Sequence, residues 1–106
     1  KVRPSINQKG SFDNTPLHRA CWDGNLQLAA TLLLAGADIN ARTSDNGTPL
    51  HFASWKGHLD TVRLLLEWGG VEVNARDSYG STPLGDAIYK GKSETAALLR
   101  AKGATE

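Results

Sequence analysis

The sequence predicts an all-α solenoid, a short stack of helix–turn–helix units, and three observations carry that reading. Thr-Pro-Leu occurs at Thr15-Pro16-Leu17, Thr48-Pro49-Leu50 and Thr82-Pro83-Leu84, at intervals of 33 and 34 residues. Glycines keep the same beat, as Gly24, Gly57 and Gly91 and again as Gly36, Gly69 and Gly103. Asn7, Asn40 and Asn74 keep it too. A unit of this length is too small to bury its own apolar face and must stack on its neighbours.

The first full unit runs over 10–42. Thr15 is placed to cap a helix, and Pro16 suits a first turn in which its missing N–H is not required. That short helix passes through Leu17, His18, Ala20 and Cys21 and stops near Gly24. A second helix, about Leu26 to Ala35, carries Leu28, Leu32 and Leu33 and ends at Gly36, which tolerates the left-handed conformation past a last turn. Ala37-Asp38-Ile39-Asn40 then leads out as an extended finger. The second unit, 43–76, repeats the pattern through Pro49, His51, Ala53, Gly57, Leu59, Val62, Leu65 and Leu66. One extra residue between Gly69 and Asn74 predicts a bulged finger, which Gly69 and Gly70 allow.

Thr-Pro-Leu-His-x-Ala, Gly-His-Leu, Leu-Leu and Gly-Ala-Asp-Ile-Asn, recurring in register, resemble ankyrin repeats from about Gly10 to the C-terminus. The resemblance implies antiparallel helix pairs, β-hairpin fingers along one edge, and a concave surface between the fingers and the first helices. It also implies a protein-binding module without catalysis of its own. Ile6-Asn7 looks like the end of a preceding finger, so 1–9 reads either as a natural cap strand or as the tail of another unit, the second being favoured. The third unit, 77–106, departs from the pattern: Gly85 stands in the His slot, Asp86 follows where Phe52 stood, and Arg100 sits where Leu33 and Leu66 sat. Polar residues on an outer face suit a terminal repeat, so the array is expected to end there. Its last unit also resembles the final repeat of some ankyrin-bearing amidases and kinases.

Composition bounds the function. The chain has 106 residues, 40% of them apolar and 22% charged, with a formal charge of +1. That balance lacks the basic footprint of a nucleic-acid binder. The apolar runs fall short of the ~20 residues needed to span a bilayer. The opening Lys1-Val2-Arg3-Pro4 does not read as a signal peptide. The single cysteine, Cys21, permits no internal disulfide and points to a reducing, intracellular setting in cytoplasm or nucleus. His18 and Cys21 share a short helix, but zinc needs further ligands that no second pair supplies. No Ser-His-Asp arrangement and no phosphate-cradling loop is evident. No enzyme activity, cofactor or metal is expected.

The informative set is aromatic. Four residues after the His slot come Trp22, Trp55 and Tyr89, and in the resembled family this position faces the concave groove. Each is followed by a charged residue: Asp23, Lys56 and Lys90. Fingers add Phe12 and Tyr79, with Asp45 close by, whereas Phe52 is assigned to the core. Trp and Tyr dominate binding hot spots because they bring large, stiff contact area. The competing reading is that the rings only stack between repeats and rigidify the groove. The expectation is a monomeric, non-catalytic module binding another protein or peptide segment, with Trp22, Trp55 and Tyr89 as anchors and Phe12, Tyr79 and Asp45 at the fingertips. Asp23, Lys56 and Lys90 would set orientation, and their mixed signs suggest a partner of mixed charge. The alternative is a regulatory or targeting appendage of a larger enzyme such as a kinase or amidase. Asn40 and Asn74 further resemble sites hydroxylated on ankyrin fingers, against the simpler reading that they bond locally in a turn.

Overall fold

The computed structural model describes residues 6–106, and six helices follow one another in pairs: α1 (Pro16–Asp23) with α2 (Leu26–Leu34), α3 (Pro49–Lys56) with α4 (Leu59–Trp68), and α5 (Pro83–Tyr89) with α6 (Ser93–Ala101). The first helices, α1, α3 and α5, pack in one row and the second helices in another. The stack measures 46 × 26 × 22 Å. The helix ends lie close to where the sequence predicts them. No helix among the described residues is long and apolar enough to cross a membrane.

Each first helix begins with a threonine cap and a proline in its first turn. In α1 and α3 the cap is reciprocal, because the Thr15 and Thr48 backbone N–H groups donate to Nδ1 of His18 and His51, both at 3.1 Å. A backbone N–H can only donate, so Nδ1 is the acceptor and the proton sits on Nε2. That proton reaches the next unit: His18 Nε2 donates to the Gly47 carbonyl at 3.1 Å, and His51 Nε2 to the Ser81 carbonyl at 2.8 Å. Burial holds both imidazoles below their ordinary pKa, hence neutral, although these carbonyls pull the other way. The third unit has Gly85 in place of the histidine, and there the Thr82 hydroxyl itself donates to the Thr105 carbonyl at 2.9 Å.

Between the helix rows lies a continuous core of Leu17, Leu50 and Leu84 from the first helices and Leu33, Val62, Leu65 and Leu99 from the second. Cys21 is wholly buried in it, and burial pushes its thiol up to about 12, so it packs as a small apolar residue. Arg100 is exposed, in keeping with its place on an outer face. Gly24 ends α1 at φ 68, and a Cβ there would lie 2.5 Å from the His58 ring. His58, in the turn before α4, ties two units together: its Nε2 donates to the Trp22 carbonyl one unit back, at 3.0 Å. At the longer connection Gly69 and Gly70 take φ 101 and 79, the detour that the extra residue demands.

The fingers project as expected, but each is a tight turn bridged by a few backbone bonds and not a strand ladder. Gly10, Thr43 and Asp77 donate to the carbonyls of Asn14, Gly47 and Ser81 at 2.7, 2.9 and 3.0 Å. Neighbouring fingers are joined by Ser44 N–H to Phe12 O and Ser78 N–H to Asp45 O, both 2.9 Å. Pairing this sparse leaves no β-strand among the described residues.

A second row of bonds ties the finger bases together. Oδ1 of Asn7, Asn40 and Asn74 accepts from the backbone N–H of Asp38, Glu72 and Thr105, each at 2.8 Å. Asn40 Nδ2 also donates to the Gly70 carbonyl at 2.7 Å. These asparagines therefore bridge units, which corrects the expectation that they bond locally. Lys9, Arg42 and Arg76 run in the same register, donating to the carbonyls of Arg42, Arg76 and Glu106 at 2.9, 3.0 and 3.1 Å. Of the opening segment 1–9, residues 1–5 lie outside the described residues.

Candidate partner-binding groove

The row of first helices and the row of fingers enclose an open groove of about 880 Å³. Trp22 enters it from α1, Trp55 from α3 and Tyr89 from α5, while Phe12, Asp45 and Tyr79 enter from the fingers. Six of the nine residues expected at a partner site thus line one surface. Phe12, Tyr79 and Tyr89 are 77%, 79% and 79% exposed, which sets them apart from packed core aromatics. Trp22 is 40% exposed, and Trp55 is partly buried. Phe12 also holds φ 57, a left-handed backbone that a bulky residue adopts only under constraint.

The rings do stack between units. Trp55 and Tyr89 stack at an interplanar angle of 25° with centroids 5.6 Å apart, and Trp22 meets Phe52 edge-on at 5.7 Å. Phe52 also packs on the His18 ring at 5.0 Å. It was expected in the core; instead it is only partly buried and forms part of the groove floor. Stacking and exposure coexist because the paired rings touch through one face or edge and turn the rest outward.

The charged followers are arranged differently from the expectation of mixed signs inside the groove. Asp23 lies at the α1 end, held by Arg19 at 2.9 Å. Lys56 stands over the Trp22 ring at 4.9 Å and Lys90 over the Trp55 ring at 5.0 Å. Both lysines cap rings of the preceding unit, and neither lines the groove. Among the described residues its lining charges are all carboxylates: Asp45, Asp77 and Asp86.

Asp86 is the residue sequence reasoning passed over as a site. It occupies the Phe52 register position on α5, is 8% exposed, and has no hydrogen bond or ion pair from its carboxylate among the described residues. Asp77 uses Oδ1 to accept the Tyr79 and Ser81 backbone N–H groups, both at 2.9 Å. Side-chain ligand atoms of His51, Asp77 and Asp86 lie within 4.8 Å of one another. As a metal centre the trio is poor, because both ring nitrogens of His51 already bond Thr48 and Ser81. Burial first, and then the neighbouring Asp77, push the Asp86 carboxyl up to about 7. The register position was the available signal, since a carboxylate stands where the preceding unit carries an aromatic ring.

Asn40 and Asn74, the expected modification candidates, lie among the inter-unit bridges at the finger bases. A comparison with curated proteins returns no match. The family model for ankyrin repeats (3 copies) matches residues 17–105, most of the described chain and all six helices but for the first residue of α1. Period, paired helices, capped Thr-Pro starts and this match agree, and the chain belongs to the ankyrin-repeat family.

Proposed function

We propose that the chain is a non-catalytic recognition module that docks a segment of a partner protein in the groove, with Trp22, Trp55 and Tyr89 as anchors. Ankyrin repeats serve generally as protein–protein interaction modules. The observation supporting this particular surface is the aromatic row itself: rings from α1, α3, α5 and two fingers converge on one groove and keep much of their area in water. Exposed apolar area concentrated in this way marks an interaction site more often than it stabilises a fold. Phe12, Tyr79 and Asp45 then act as fingertip contacts. Lys56 and Lys90, at the outer ring faces, stiffen the anchors and tune selectivity. A typical interface of ~800 Å² per partner fits three units.

The test is comparative capture from the native cell. Intact chain and the Tyr89→Ala and Trp55→Ala variants, each shown to be folded by its helical spectrum, are immobilised in parallel. A partner retained by the intact chain and lost by both variants supports the groove. The same proteins recovered on all three surfaces contradict it.

A further inference from the structure

The groove has a chemical sign, and it narrows the class of segment that the groove accepts. Three carboxylates, Asp45, Asp77 and Asp86, line it beside the rings of Trp55, Tyr79 and Tyr89, and no lysine or arginine among the described residues lines it. The chain as a whole is close to neutral at +1, so this is a local concentration of charge. The ion pairs among the described residues are Arg19–Asp23, Arg42–Glu72 and Arg63–Asp60, and none involves the groove carboxylates.

Resting on the docking function above, we propose that the groove recognises an arginine or lysine side chain presented by an extended segment of the partner, its cation bonded to Asp77 and Asp86 and flanked by the aromatic rings. Asp86 is the observation that points inward to a ligand. It is more than nine-tenths buried, lines the groove, and leaves its oxygens without a donor. Its oxygens still meet the solvent of the groove, so an arriving cation can bond them without displacing a protein donor. Asp77 holds its carboxylate in place through two backbone bonds, with an oxygen close to that of Asp86. His51 cannot serve as the counter-charge, since both its nitrogens are engaged and burial keeps it neutral.

The surrounding rings suit the same guest. Tyr79 and Tyr89 are the most exposed aromatics of the groove together with Phe12, and a cation gains by lying over such faces. The molecule already shows this pairing twice, with Lys56 over Trp22 and Lys90 over Trp55. An arriving cation also supplies what the raised Asp86 carboxyl lacks, favouring its ionised form. An acidic segment would meet three carboxylates instead.

The experiment starts from a random peptide library displayed on phage and panned against the intact chain, with clones kept only if they fail to bind the Tyr89→Ala variant. The retained peptides are expected to share a basic residue at one position. Changing that arginine to citrulline, or that lysine to acetyllysine, removes the charge and keeps the length. This change should weaken binding by about tenfold or more, the low end of what a charge-assisted hydrogen bond contributes. Against an Asp77→Asn/Asp86→Asn variant the two peptide forms should bind alike. Asparagine keeps an oxygen for the Tyr79 and Ser81 N–H groups, and an unchanged or raised melting midpoint confirms that the variant folds.

Retained peptides without a shared basic residue, or charge removal without effect, overturn the cation assignment and leave groove docking standing. Peptides that bind intact and Tyr89→Ala chains equally, or a library yielding no groove-dependent clone, overturn both.

Discussion

At the finger bases, Asn40 and Asn74 hand their side-chain bonds to the next unit, as do Arg42 and Arg76. Across the groove, a few residues away in each repeat, Asp86 and the rings of Tyr79 and Tyr89 leave oxygens and ring faces open to water. One repeated segment thus produces a saturated edge and an unsaturated one. Saturation is what a scaffold needs, because a buried group left without its partner costs more than a made bond gains. An unsaturated edge contributes little to folding and is free to vary in chemistry from unit to unit. Arg19, Phe52 and Asp86 share one register position across the three units, while the threonine caps never change.

The contrast can be broken from either side, and the largest effect belongs to the core beneath the saturated edge. Leu65 is fully buried. Leu65→Ala should lower unfolding free energy by ~2–5 kcal/mol, a large share of a total of ~5–15 kcal/mol. Urea unfolding followed by circular dichroism measures it. A loss below about 1 kcal/mol would mean that the helix rows are less tightly packed than the structure has them.

Next comes the inter-unit latch. His51→Ala takes one of two donors from the Ser81 carbonyl, which keeps the Asp77 N–H, and leaves the Thr48 N–H without its partner. A loss of about 1–3 kcal/mol is expected, read in the same urea experiment. In the third unit, where Gly85 stands in the histidine position, the Thr82 hydroxyl donates within its own unit, to the Thr105 carbonyl.

Asp86 gives an effect recognisable by its pH dependence. Its folded carboxyl, raised to about 7 by burial and by Asp77, holds a proton more tightly than the unfolded chain does. Its contribution to stability is therefore full below an unfolded aspartate's pKa of about 3.9 and is lost as pH rises through the folded value. His18 and His51, lowered chiefly by burial, act in the opposite sense, with stability lost as pH falls below their unfolded pKa of about 6.5. Subtracting the two curves isolates the carboxyl: the advantage of Asp86→Asn over the natural chain should grow as pH rises from about 4 to about 7 and then level off. Thermal melts across that range check it, and a difference that stays flat would place Asp86 in a wetter setting.

The smallest stability effect is expected where the binding effect is largest. Tyr89 is 79% exposed and stacks on Trp55 through one face. Tyr89→Ala should change unfolding free energy by about 1 kcal/mol or less, the worth of one aromatic pair.

Much of this architecture was legible in the sequence because stacking repeats write their rules periodically. Thr-Pro marks a capped helix start, the leucines mark the buried stripe, and a residue inserted after Gly69 announces a longer connection. What stayed hidden needs the third dimension. The partners of Asn40 lie 30 and 32 residues downstream, and backbone carbonyls carry no sequence signature. Asp77 and Asp86 belong to a finger and a helix whose meeting is set by the fold. Phe52 was misplaced because an aromatic residue on a first helix fits core and groove floor equally well until the neighbouring Trp22 and His18 rings fix its tilt. The lysines were misplaced because sequence adjacency to Trp55 and Tyr89 says nothing of the ring each ammonium reaches, which lies one unit back.

The central claim, that recognition resides in the unsaturated edge and folding in the other, is tested most directly by the dissociation constant of a groove-selected peptide for the Trp55→Ala/Tyr89→Ala double variant, taken alongside its melting midpoint. A hot-spot loss of about thirtyfold or more is predicted, with a midpoint lowered by no more than about 10 °C. Affinity within twofold of the natural chain, in a variant that remains folded, would contradict the account.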